Sequence, residues 1–177
     1  LRAPLKSKII CSLNDQVFLG KTMNISEGGV LFSKGPVFSQ GDEFHLMVDL
    51  PDYPNFSDFD KEEILDLEWY SFEREVMRAK AKVMRSFETD FNGEVTECYG
   101  CSFLKAEKNS VLFIKNYVNS YSKNILYLLS PFESLGRGRL NLPTLKKVAF
   151  LMGYSNDDKT HVLRSQVLHD YKSLEKL

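Results

Sequence analysis

The residues best suited to bind a ligand lie near the start of the chain: Arg2, Lys6, Asn24, Ser26, Gly28 and Gly29. Asn24 and Ser26 are two positions apart, so a strand through them aims both side chains to one side. A carboxamide both accepts and donates, and a hydroxyl does the same. Gly28 and Gly29 permit positive φ and let a ligand approach the backbone closely. Arg2 adds a planar donor fork that pairs bidentately with phosphate or with the Hoogsteen edge of guanine. Lys6 adds a point charge suited to phosphate, although on a strand it can equally face solvent.

Other groups that could do chemistry form no pattern. His45, His161 and His169 are scattered, no Ser/His/Asp or Cys/His constellation emerges, and no Gly-rich phosphate loop opens a helix. Cys98-Tyr99-Gly100-Cys101 has CxxC form, but in a strand positions three apart point to opposite faces. With Cys11 as the only other cysteine, a tetrahedral structural zinc would still lack a ligand. The chain therefore reads as no enzyme, with no metal and no cofactor. Its three cysteines read as reduced, half-buried thiols of a cytoplasmic protein.

The elements that would hold the first group are short strands. Ser7 to Leu13 reads as a strand, Asn14-Asp15 as a turn, and Val17 to Asn24 as the returning strand, with Val30-Leu31-Phe32 after the two glycines. Apolar residues alternate over Asp42 to Leu50, from Met77 to Val83 and from Tyr99 to Phe103. Six such strands suggest a small barrel, which removes exposed sheet edges by closure.

Asn24-Ile25-Ser26-Glu27-Gly28-Gly29 resembles the signature of the PilZ domain family, an Arg-x-x-x-Arg loop followed by Asp/Asn-x-Ser-x-x-Gly. Asn24, Ser26 and Gly29 match the second half in full. Arg2 to Lys6 can be read as the first half with lysine in the last place. The better fit makes Arg2 the second arginine, because Ala3-Pro4-Leu5 follows it and Asn24 lies 22 positions on. The first arginine is then expected before Leu1, and the chain, starting without Met, is expected to be cut from a longer polypeptide.

This resemblance covers roughly residues 1–123. It implies a mainly β fold: a six-stranded antiparallel PilZ-like β-barrel followed by α-helices. Its usual ligand is cyclic di-GMP. Arg2 would then meet guanine and phosphate, Asn24 and Ser26 the guanine edge, and Lys6 a phosphate, while Gly28 and Gly29 keep the site open. The loop around Arg2 is expected to be mobile when empty and ordered by ligand. The implied function is a receptor that relays second-messenger level to a protein partner in bacterial motility, surface or biofilm behaviour. Two alternatives stay open. One is a PilZ-like adaptor without nucleotide binding, as in pilus assembly. The other is a ligand-controlled DNA-binding regulator acting through the tail.

Apolar content of 43% argues for a proper core, and no apolar run approaches the ~18 residues of a membrane span. The net charge of -1 hides segregation. Asp49 to Glu75 holds ten acids against Lys61 and Arg74, whereas Gly136 to Leu177 holds eight bases against four acids. The acidic insertion, 51–75, is too long for a barrel connection. It is expected to carry a helical turn over Lys61 to Leu65 or form a hairpin arm, either packed on its own barrel or docking a partner. Insertion and tail are expected to attract one another, with Trp69 shielded by the contact. Asn109 or Ser110 is expected to cap a helix whose stripe runs Val111, Ile114, Val118, Tyr121, Ile125, Leu128 and ends before Pro131. Residues 1–123 thus form the barrel with its helix, and 124–177 a helical extension. In that extension Pro143 starts one helix, Gly153 ends it, and Ser155 or Asn156 caps a second. The extension resembles a helix-turn-helix at Ala149, Gly153, Tyr154, Ser155 and Val162, with Lys159 where an apolar residue is expected. Its helices could also support a homo-oligomer.

Overall fold

The structure is a computed structural model that describes residues 1–91, 94–133, 141–155 and 159–175. Its strands are β1 (Arg2–Pro4), β2 (Lys8–Leu13), β3 (Gln16–Ser26), β4 (Gly29–Ser33), β5 (Glu43–Pro51), β6 (Arg74–Phe91) and β7 (Glu94–Ala106). The helices are α1 (Lys61–Asp66), α2 (Lys108–Glu133), α3 (Leu142–Leu151) and α4 (Thr160–Glu175). Strands β2 to β7 close into the expected six-stranded barrel in the order β3-β2-β5-β6-β7-β4, with β4 pairing back onto β3. The alternating apolar residues face inward. Phe32, Phe38, Phe44 and Tyr99 form an aromatic cluster with ring centroids 4.8–6.0 Å apart. Each such ring contributes about 1.5–3 kcal/mol on burial. Cys11 and Cys101 also lie inside, where burial pushes each thiol up to about 12.

The seventh strand, β1, lies where a loop was expected around Arg2. It pairs antiparallel with β3, Arg2 opposite Ser26 and Pro4 opposite Asn24. β4 occupies the other edge of β3 there, so β1 and β2 run along one edge as a single interrupted strand. Thr22 holds the interruption together: its hydroxyl accepts from the Ser7 N–H at 2.9 Å and donates to the Ser7 carbonyl at 2.7 Å. The long β3 would otherwise leave backbone donors and acceptors unpaired beyond Lys21, which is costly where they are buried.

Contacts divide the chain into two units: Arg2–Leu50 with Arg74–Asn116, and Pro51–Glu73 with Tyr117–Leu177 and Leu1. The boundary expected at 123/124 falls inside α2. The acidic insertion groups with the C-terminal helices, and α1 packs on α3. α1 covers the segment expected to turn helical, because Asp60 and Glu63 make a reciprocal capping box. Phe56 and Ile64 are buried, and Glu68 meets Lys147 at 3.6 Å. Trp69, expected to be shielded, is 53% exposed. The insertion gains its burial through Phe56 and Ile64 instead. The α2 stripe is buried from Ile114 to Leu128, but Val111 is exposed and the helix continues through Pro131 to Glu133. Pro131, two residues before the helix end, has no N–H to give to the Tyr127 carbonyl and crowds it. Neither Asn109 nor Ser110 is the cap, because α2 already begins at Lys108; the Ser110 hydroxyl accepts from the Arg78 N–H at 2.9 Å instead. α3 ends as expected at Gly153, which has φ +89°. α4 starts only at Thr160, so Ser155 lies too early to cap it, and Asn156, the alternative, lies outside the described residues. Tyr154 of the helix-turn-helix pattern donates to Asp170 at 2.7 Å and meets the Tyr121 hydroxyl at 2.9 Å. Burial raises both phenols well above their usual range.

Asn124 is the link between insertion and helix within this unit. Fully buried, it accepts from the Phe56 N–H at 3.0 Å and donates to the Pro54 carbonyl at 2.8 Å. Asn124→Ala leaves both backbone groups unpaired, and an expected loss of about 2 kcal/mol follows. A urea midpoint unchanged in Asn124→Ala would show that solvent satisfies those groups and that the link is dispensable.

Candidate nucleotide-binding cleft

A cleft of about 350 Å³ opens on the outside of the barrel where β1, β3, β4, β6 and β7 meet. Three of the residues singled out from sequence chemistry, Arg2, Asn24 and Ser26, line it together, as do Gly28 and Gly29. Pairing of β1 with β3 puts Arg2 directly across from Ser26. A bulge in β3, where Met23 is the unpaired residue against β4, sets the phase that follows. Ile25 turns into the core, and Asn24 and Ser26 turn outward. Lys6 is exposed in the interruption between β1 and β2 and does not line the cleft.

The glycines act differently from the sequence-based expectation. Neither Gly28 nor Gly29 has a positive φ. Gly29 is required by packing instead: a Cβ there would stand 2.1 Å from the Cys101 carbonyl oxygen, inside the β4–β7 pairing. A Cβ at Gly28 would meet nothing within 4 Å, so the backbone there borders open space. The turn itself is held by the Phe103 N–H, which donates to the Gly28 carbonyl at 3.0 Å, with the Ser102 hydroxyl at 3.4 Å from the same oxygen.

Sequence reasoning missed Arg85. In β6, Val83 pairs with Cys101 and Arg85 with Gly100, so Met84 is an extra residue that shifts the register. Strict alternation from Met77 to Val83 would send residue 85 into the core. The bulge sends it out into the cleft, the re-aiming that bulges typically perform. Its stem crosses Gly100, where an added Cβ would come within 3.1 Å of Cγ and Nε, and its guanidinium sits over the Phe87 ring at 5.4 Å. The cleft therefore carries two guanidinium forks, and none of the described residues that line it is a carboxylate. Such a site favours an anion with planar acceptor edges.

Cys98 and Cys101 are both buried in β7, with Cys98 Sγ 3.5 Å from Met23 Sδ. Among the described residues no three His, Cys, Asp or Glu side chains are placed to hold a metal ion. No described helix is long and apolar enough to cross a membrane.

Comparison with known proteins agrees with the fold. The PilZ domain family profile matches residues 1–120. The fold resembles the PilZ domain with c-di-GMP of YcgR from Escherichia coli, at TM-score 0.50 and 13% identity, covering 73% of this chain and 95% of that one. It also resembles the Bacillus subtilis inhibitor of motility MotI/DgrA, at TM-score 0.51 and 13% identity, covering 67% of this chain. The match spans about half of that protein, 48% of its chain. Among curated proteins no significant match is found. With its barrel, its Asn-x-Ser-x-x-Gly turn and a family match over residues 1–120, the chain belongs to the PilZ domain family.

Proposed function

We propose that this protein is a cyclic di-GMP receptor that relays occupancy of its cleft to a protein partner, in motility, surface or biofilm behaviour. The observation that carries the reading is the β1–β3 register, which brings the Arg2 fork beside Asn24 and Ser26 in one cationic cleft. Cyclic di-GMP presents two guanines and two phosphates, which match forks for Hoogsteen edges and phosphate and an amide for the Watson–Crick face. The YcgR domain it resembles in fold was solved with this nucleotide, and MotI is described as an inhibitor of motility, which supports the same direction. A signal leaves through protein surfaces outside the cleft.

Calorimetric titration with cyclic di-GMP tests the reading directly. Saturable heat at micromolar ligand supports it, and no heat at high micromolar ligand favours the adaptor reading. Arg85 gives a more local check. Arg85→Ala removes a charge-assisted contact and is expected to cost about 1.5–3 kcal/mol of affinity. Gly100→Ala keeps the charge but displaces the stem of Arg85, so a smaller loss in the same titration is expected. Wild-type affinity in both variants would leave Arg85 outside the binding surface.

A further inference from the structure

The acidic insertion divides its apolar side chains into two sets. Phe56 and Ile64 are buried, whereas Trp69 and Tyr70, on a single 3-10 turn, are 53% and 70% exposed. Beside them is a second cleft, of about 290 Å³, lined by Tyr53, Phe59 and Phe72 together with Asp52 and Glu73. The Asp52 N–H donates to the Glu73 carbonyl at 2.8 Å, which pins these two acidic residues at the two ends of the insertion side by side. Tyr53 and Phe72 stand edge to face at 5.9 Å.

The charges of this segment are only partly compensated. Glu68 meets Lys147, Asp60 and Glu63 are used in the cap of α1, and Asp58 accepts from Asn55. The carboxylates of Asp52, Glu62, Asp66 and Glu73 have no partner among the described residues. The frame that presents them is fixed by the capping box and by Asn124, so little order has to be gained on binding. Exposed Trp and Tyr on a fixed frame are the residue types that dominate binding hot spots. Aromatic faces beside carboxylates favour a cation that is partly desolvated.

We propose that this face docks a cationic, amphipathic segment of a partner protein. A lysine or arginine enters beside Tyr53 and Phe72 toward Asp52 and Glu73, and apolar neighbours cover Trp69 and Tyr70. This surface is independent of the nucleotide cleft, and its test does not require cyclic di-GMP.

Trp69 is the only tryptophan of the chain, so its emission reports on the proposed surface directly. The probe is a synthetic amphipathic peptide of lysine and leucine, with a lysine–serine peptide of equal length and charge as control. The lysine–leucine peptide is expected to move Trp69 emission to the blue saturably, at least about tenfold more tightly than the control. Neutralising the cleft with Asp52→Asn and Glu73→Gln, both exposed, is expected to weaken binding about tenfold or more. Neutralising Glu62 and Asp66 on the same segment removes equal charge and is expected to change it less than about threefold. Calorimetry on Tyr70→Ala is expected to show a comparable loss without relying on fluorescence. Unmoved Trp69 emission, equal binding of both peptides, or equal effects of the two charge pairs would overturn the proposal. Self-association of the chain that the Asp52 and Glu73 substitutions abolish would assign the surface to a second copy and overturn it as well.

Discussion

Arg2→Ala is expected to weaken cyclic di-GMP binding by about thirty- to a thousandfold, a loss of about 2–4 kcal/mol. The side chain is exposed and stands across from Ser26 in the cleft, so its removal deletes a bidentate, charge-assisted contact and little packing. Thermal stability should therefore stay within about 0.5 kcal/mol of wild type. Arg2→Lys separates charge from shape. A lysine keeps the positive charge but not the planar fork, so most of the affinity should remain lost. Calorimetric titration of both variants reads the result. Wild-type affinity in Arg2→Ala would place the ligand elsewhere on the molecule, whatever the total affinity.

The largest effect on stability is expected from Gly29→Ala. The added Cβ would sit 2.1 Å from the Cys101 carbonyl oxygen and 3.1 Å from its carbon, both backbone atoms of the neighbouring strand. No side chain can swing aside, so β4 and β7 must separate where Gly29 pairs with Ser102 and Val30 with Cys101. Overpacking of this kind costs about 3 kcal/mol or more. At roughly 2–4 °C per kcal/mol for a chain of this size, Tm should fall by about 6–12 °C. Gly28→Ala is the matched control, since nothing lies within 4 Å of its Cβ position, and its Tm should not move. Equal melting of the two variants would mean that β4 and β7 yield more readily than their pairing suggests. The pair also separates two positions of the motif: Gly29 is fixed by strand packing, and Gly28 borders open space.

The legible part of the site is its local part. Asn24 and Ser26 share a face because side chains alternate along a strand, and that rule needs no partner strand. Strands β2 to β7 are visible in the same way, from alternation and turn residues, whereas the choice between a helical turn and a hairpin arm at Lys61 to Leu65 was settled only by the capping box of Asp60 and Glu63. Their closure follows from the number of strands that must bury one face. The role of Gly29 was not legible, because the atom that forbids a side chain belongs to Cys101, more than seventy residues away.

Sequence by itself therefore determined the strands and their inward faces, the chemistry of Arg2, Asn24 and Ser26, and the segregation of acidic and basic segments. Tertiary structure alone decided which of those residues meet. β1 became a strand because β3 is long enough to leave an open edge beyond β2. Arg85 entered the cleft because a register shift at Met84 breaks the period-two rule, and register is a property of two strands rather than one. The acidic insertion joined the C-terminal helices because the buried carboxamide of Asn124 satisfies backbone groups at Phe56 and Pro54, a match between segments about seventy residues apart. Periodicity reports which face of an element is apolar. The partner of that face is set by long-range pairing and packing.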